Sequence, residues 1–96
     1  MDLRQLRAFV GIYEERSFNR AAQRFHATQS GLSMLVKNLE EELGAALFQR
    51  SSKGVEPTLA GRRLYGRAVA LLRQAEEAKE EVRSLSGTVA GPLRVG

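Results

Sequence analysis

The sequence predicts a mainly helical fold: three short helices, a two-stranded hairpin and one long terminal helix. Three observations carry that expectation. Apolar residues recur at helical spacing in three short blocks set apart by polar capping residues. A polar, glycine-containing tip separates two short strand-like runs near the middle of the chain. Beyond Thr58 an apolar heptad continues unbroken to Leu85.

Leu3, Leu6, Phe9, Val10 and Tyr13 predict a first amphipathic helix over residues 2–15. Ser17 is placed to cap a second, in which Phe18, Ala21, Ala22 and Phe25 fall at i, i+3, i+4 and i+7. Arg20 stands where a capping-box glutamate would, so only half of that signal is present. Thr28 caps a third helix with Leu32, Leu35 or Val36, Leu39 and Leu43 as its buried stripe, and Gly44 ends it. Two short helices joined by about three residues, the second capped, have helix-turn-helix spacing, here over about 18–37.

Leu47-Phe48-Gln49-Arg50 and Val55-Glu56-Pro57 flank the tip Ser51-Ser52-Lys53-Gly54, and Pro57 limits its strand to an edge. Thr58 then caps the longest helix, expected to run to about Ser86 and to stop at Gly87, with Gly91-Pro92 beyond. Gly61 and Gly66 should each weaken it by about 1 kcal/mol relative to alanine, so contacts outside the helix must hold it. Leu64, Ala68, Leu71, Ala75, Ala78, Val82 and Leu85 form the heptad seam. At ~1.5 Å per residue such a helix is roughly 43 Å long, more than its own small core can cover. Tyr65, Val69 and Leu72 are available to face home, which leaves the seam for a second copy. Its three alanines imply close backbones, and the direction of pairing is open. The domain organisation is therefore 1–58 for the helical head with its hairpin, 59–86 for the linking helix and 87–96 for a hinge.

Composition narrows the function classes. There is no cysteine and one histidine, which excludes disulfides, thiol chemistry, cysteine-bound zinc and histidine-rich metal sites. No apolar run reaches the roughly 18 residues of a membrane span, and the N-terminal residues have no signal-peptide apolar region, so a cytoplasmic location with no membrane partner is expected. An enzyme is not expected, and neither is a cofactor. His26 reads as a solvated or packing residue, the glutamates at 40–42, 76–77 and 80–81 as solvated faces, and no glycine-rich phosphate loop is present.

The net charge is +4, and residues 16–73 hold ten basic against four acidic side chains, a block that suits a polyanion. With Leu32, Val36, Leu39 and Leu43 turned inward, the third helix turns Gln29, Ser30, Ser33, Met34 and Lys37 outward. A helix fits the major groove of DNA, where glutamine pairs with adenine, serine bonds several bases, lysine reaches guanine or phosphate, and methionine can touch a thymine methyl. Thr28 at the helix start, and Arg50, Ser51 and Lys53 on the hairpin, are candidates for the DNA backbone or minor groove. Arg62, Arg63 and Arg67, with Arg20 and Arg24, fit phosphate contacts or plain solvation equally. Two rival readings are an interaction module that binds an acidic partner and forms a hetero-coiled coil, and an RNA-binding protein. The latter is disfavoured by 6% aromatics and the lack of an aromatic on a basic strand surface.

Leu3-Arg4-Gln5-Leu6-Arg7-Ala8-Phe9, Ser17-Phe18-Asn19-Arg20-Ala21-Ala22, Leu39-Glu40-Glu41-Glu42-Leu43-Gly44, Leu47-Phe48-Gln49-Arg50 and Thr58-Leu59-Ala60-Gly61 form an ordered set over nearly the whole chain. In these stretches the sequence resembles the N-terminal domain of LysR-type transcriptional regulators. The resemblance implies a winged helix-turn-helix, a linker helix paired antiparallel in a homodimer, and control of bacterial genes at interrupted palindromes in double-stranded DNA. It also implies an effector-binding domain after the linker, whose first strand Gly91-Pro92-Leu93-Arg94-Val95-Gly96 would open and then leave unpaired and disordered, and it leaves a tetramer open for the full-length regulator. Base reading carries over to Gln29, Ser30, Ser33 and Met34, and Lys37, Arg50 and Lys53 match basic positions that the family uses. The chain departs from the family pattern at Ser30, Gly31, Met34 and Leu35, where proline, alanine, arginine and glutamine are usual, so a different operator preference is expected.

Overall fold

The computed structural model describes residues 1–89, with side chains to residue 85. The elements are α1 (Leu3–Glu15), α2 (Phe18–Phe25), α3 (Gln29–Leu43), β1 (Phe48–Ser51), β2 (Gly54–Pro57) and α4 (Leu59–Val89). Each helix start has a chemical cause. Asp2 Oδ1 accepts the Gln5 N–H at 2.8 Å while Gln5 Oε1 accepts the Asp2 N–H at 2.9 Å, a complete capping box. Ser17 Oγ accepts the Arg20 N–H at 3.1 Å, and Thr28 Oγ1 accepts the Gly31 N–H at 3.0 Å. Gly44, at φ 69°, closes α3.

The turns that fold α1 onto α2 and α2 onto α3 pass through left-handed backbone at Arg16 and His26, both at φ 54°. That conformation costs a side-chain-bearing residue about 1–2 kcal/mol. It is held by capping bonds: the Arg16 N–H to Ile12 O at 2.7 Å, and the Ala27 N–H to Ala22 O at 2.9 Å. His26 is thus a helix-terminating residue, exposed to solvent.

Phe9, Ile12, Leu39 and Leu47 are the largest fully buried side chains, joined by Leu6, Phe18, Leu32, Val36 and Phe48. Of the two residues open for the middle of the α3 stripe, Val36 is buried and Leu35 half-buried. Leu43, expected inward, is 43% exposed, because the core that α3 covers ends at Leu39. At Gly11 a Cβ would lie 2.2 Å from Phe25 Cε2, so the missing side chain admits the Phe25 ring between α1 and α2. The hairpin pairs antiparallel from Phe48↔Pro57 to Ser51↔Gly54 and forms the only sheet among the described residues.

Gly87 does not end α4, which continues to Val89. A glycine weakens a helix by about 1 kcal/mol but keeps its N–H, so it need not interrupt one. The expected strand opening at 91–96 lies outside the described residues. Tyr65, Val69 and Leu72 do pack against the core. The heptad seam divides, however. Ala68 is completely buried by its own chain and Leu64 is half-buried there, packed against the home core. A strict seven-residue repeat drifts ~20° per heptad around a 3.6-residue helix. The start of the seam accordingly lies on the home core, while Leu71, Ala78, Val82 and Leu85 are exposed and Ala75 is half-buried.

A polar network ties α4 to α1 and α2. The Tyr65 ring stacks on Tyr13 at 4.0 Å, and its hydroxyl donates to Glu14 Oε2 at 2.6 Å. Arg24 reaches Glu14 at 2.8 Å and Glu15 at 3.4 Å. The Tyr65 hydrogen bond, reinforced by Arg24, holds the Glu14 carboxyl below its ordinary value, and the same bond raises the Tyr65 phenol.

Candidate nucleic-acid interface

Gln29, Ser30, Ser33, Met34 and Lys37 fall within two and a half turns of α3, with Ser30, Met34 and Lys37 turned away from Leu32, Val36 and Leu39 and with Gln29 and Ser33 along the edge nearer Val36. The fold brings all five together along one open surface. None of the five is buried, and Met34, at 56%, is among the more exposed large apolar side chains of the molecule. The helix start adds backbone donors. Thr28 takes up the Gly31 N–H, and the first-turn amides of Gln29 and Ser30 point out of the helix end. Gly31 leaves room for that cap, since a Cβ there would sit 2.9 Å from Thr28 Oγ1.

The hairpin is fastened to α3 and α4 at its root, not suspended from them. Glu40 Oε2 accepts the backbone N–H groups of Leu47 at 2.7 Å and Phe48 at 3.4 Å. Thr58 donates its hydroxyl to Ala46 O at 2.6 Å and its N–H to Leu47 O at 2.9 Å, and its Oγ1 accepts the Gly61 N–H at 3.1 Å. At Gly61 a Cβ would lie 2.2 Å from Leu47 O, so the glycine lets α4 lie against the hairpin root. Its weak helix propensity is offset by that contact, which no local pattern reveals. Glu40, read from sequence as part of a solvated run, is half-buried and ties the hairpin to α3.

Arg50 is likewise not a loose flank of the tip. Its backbone pairs with Val55, and its guanidinium lies 4.6 Å from the centre of the Phe18 ring. An arginine on an aromatic face is held by about 0.5–1 kcal/mol when exposed, which fixes its direction without using its N–H donors. Arg50 borders the surface of Ser33 and Lys37 on one side and the cleft with Arg20 and Gln29 on the other. At the tip, Ser51 Oγ accepts the Lys53 N–H at 3.2 Å, and both side chains are exposed.

Arg24, equally suited to phosphate or solvent by sequence, is engaged by Glu14 and Glu15, and Arg16 by Glu56 at 3.8 Å. Glu76 and Glu80 pair with Lys79 and Arg83 on the distal part of α4, and Lys79 lowers the Glu76 pKa. No ion pair of the described residues engages Lys37, Arg50, Lys53 or Arg20. Cations without an ion-pair partner therefore run from Lys37 on α3 past Arg50 on Phe18 to Lys53 at the hairpin tip. No group of three or more His, Asp or Glu suited to a metal ion occurs among the described residues.

Residues 3–62 match the family described as bacterial regulatory helix-turn-helix protein, lysR family. The chain belongs to the LysR family. Its relatives include the HTH-type transcriptional regulator BudR of Klebsiella aerogenes, 42% identical over 96 residues, all of this chain and 67% of the relative. ShiR of Corynebacterium glutamicum (strain R) is 41% identical over 96 residues, again the whole chain but 32% of the relative. This LysR-family chain spans about a third of the length of several curated relatives that it matches. Among solved structures it is similar to the BenM DBD in complex with catB site 1 DNA, with TM-score 0.86 and 38% identity over 90% of this chain and 97% of that one. The CbnR DBD–DNA complex gives TM-score 0.83 and 31% identity over 90% of this chain and 99% of that one. The expected winged helix-turn-helix with a long final helix is therefore the LysR-family fold, and these relatives are transcriptional regulators. No helix of the described residues is long and apolar enough to cross a membrane.

Proposed function

We propose that this chain is the operator-reading part of a LysR-type regulator that acts as a dimer in the cytoplasm. In this reading α3 lies in the major groove of double-stranded DNA. Gln29, Ser30, Ser33, Met34 and Lys37 meet base edges, while Thr28, Arg50, Ser51 and Lys53 hold the sugar–phosphate backbone beside it. The observation that carries this is the joint placement of the five α3 side chains on one uncovered surface, bordered by Arg50, whose guanidinium is held on the Phe18 ring and has no ion-pair partner. The similarity to two DBD–DNA complexes supports it.

Affinity and choice have different sources. Cations on phosphates supply a salt-dependent attraction that is blind to sequence, and the groove-facing helix supplies discrimination. The anchors at Glu40 and Thr58 hold hairpin and helix in one rigid frame, so the phosphate contacts set the depth and register at which α3 enters the groove. The distal half of α4 pairs with that of a second copy through Leu71, Ala75, Ala78, Val82 and Leu85. Two recognition helices then meet grooves roughly one turn (~34 Å) apart on one face of the duplex. Effector control belongs to a domain beyond this one.

Selection from random duplex DNA tests the reading. It is expected to return an interrupted dyad, and Gln29→Ala and Ser33→Ala each to change the preferred bases as well as the affinity. A set of bound sequences without symmetry, or identical preferred sites for the wild-type chain and both variants, would contradict it.

A further inference from the structure

We propose that Met34 reads the C5-methyl group of a major-groove pyrimidine, making this domain a detector of methylated pyrimidines at one position in each half-site. The inference rests on the DNA-reading role given above and adds the chemistry of one position. Met34 is the only large apolar side chain on the outward face of α3, where Leu32 and Val36 are buried and Leu35 is half-buried. It is 56% exposed, with its thioether standing among Gln29, Ser30, Ser33 and Lys37. Met34 is the one large apolar side chain of the surface that these residues share.

A thioether has no N–H or O–H to donate and accepts hydrogen bonds only weakly. It cannot discriminate bases by the donor and acceptor code. The apolar group that a base pair displays in the major groove is the methyl at pyrimidine C5. Thymine carries it, as does 5-methylcytosine, whereas cytosine and uracil lack it. Methionine is flexible and polarisable, so it can close over a methyl group without a preformed pocket. Nearby Ser33 and Gln29 retain polar atoms for the hydrogen-bonding edges of the same or a neighbouring pair. The position thus reads shape and apolar surface, and its neighbours read polarity.

The test removes the methyl group from the DNA and leaves pairing untouched. A duplex is first selected by the chain from a random pool. Each thymine in it is then replaced by deoxyuridine, and each cytosine by 5-methylcytosine, one at a time. Affinity is measured by fluorescence anisotropy for the wild-type chain, Met34→Ala and Met34→Leu. With burial of one methyl-sized group at stake, thymine-to-uracil exchange at one position per half-site should weaken wild-type binding roughly three- to ten-fold. Met34→Leu should keep that penalty, and Met34→Ala should reduce it below about two-fold. If the position is a cytosine, its methylation should strengthen binding by a similar factor for the wild type and Met34→Leu but not for Met34→Ala, naming 5-methylcytosine as the source. Insensitivity to every exchange, or a penalty that persists in Met34→Ala, overturns the inference while leaving the DNA-reading role intact. A pool that yields no preferred duplex overturns both.

Discussion

Gly61→Ala and Gly66→Ala make the same chemical change five residues apart in one helix, and the structure assigns them opposite signs. On helix propensity alone each gains about 1 kcal/mol. Gly66 is exposed and no side chain or other segment of the described residues lies within 4 Å of an added Cβ, so that gain is expected in full. At Gly61 the added carbon would lie 2.2 Å from Leu47 O, 3.2 Å from its carbonyl carbon and 3.5 Å from its Cα. The first distance falls well over an ångström short of ordinary contact, and the obstacle is backbone, which no rotamer change can move. Leu47 is itself held by its N–H to Glu40 and by its carbonyl to Thr58. Either α4 retreats, straining the Thr58 bonds that contribute about 0.5–1.5 kcal/mol each, or the hairpin root shifts. Overpacking costs typically 1–3 kcal/mol and a strained Thr58 bond about 0.5–1.5 more, so after the propensity gain of about 1 kcal/mol Gly61→Ala should destabilise the domain by about 0.5–3.5 kcal/mol. Thermal melts followed by far-ultraviolet circular dichroism at one protein concentration should show Tm falling by roughly 2–28 °C for Gly61→Ala and rising by about 4–8 °C for Gly66→Ala. Equal gains from the two substitutions would refute the close approach of α4 to the hairpin root.

Lys53→Ala should weaken binding almost uniformly across DNA sequences and lower the slope of log affinity against log salt by about one, and an unchanged slope in a salt titration would rule out its phosphate contact. Val82 is 63% exposed, on the distal part of α4; Val82→Glu should weaken self-association at least ~100-fold with helicity retained, and sedimentation showing an intact dimer would move the interface elsewhere. The Glu14–Tyr65 bond makes stability pH-dependent at two ends. The lowered carboxyl contributes stability present above its ordinary pKa of about 4.5 and lost as pH falls through the folded value, while the raised phenol contributes stability present below about 10.0 and lost as pH rises through its folded value. Tyr65→Phe should flatten urea-unfolding free energies at both extremes, and an unaltered pH profile would count against the network.

What could be read in the sequence was what local chemistry determines. Ser17, Thr28 and Gly44 stand at the helix ends because capping needs only a few consecutive residues. The outward set on α3 followed from helical periodicity, which placed Gln29, Ser30, Ser33, Met34 and Lys37 on one side without tertiary information. What stayed hidden depends on contacts distant in sequence. Glu40 looked like one of three solvated glutamates, and only the fold brings its carboxylate to Leu47 and Phe48. Arg50 looked free because its partner, the Phe18 ring, is 32 residues away. Gly61 looked like a weakness in α4 because the carbonyl that requires it belongs to Leu47. The heptad hid a division for a related reason: spacing shows which residues share a stripe but not which part of it the home core claims, and that core buries Ala68 and half-buries Leu64.

Because the chain has no cysteine, single introduced thiols report position without a background. Ser33→Cys and Glu41→Cys, each carrying a short photo-crosslinker, should be irradiated on the selected duplex and the modified bases mapped. Insertion of α3 into the major groove predicts crosslinks to bases inside both half-sites from position 33, and few or none from position 41 beyond the outward set. Equal yields from the two positions, or no base modified from position 33, would contradict it.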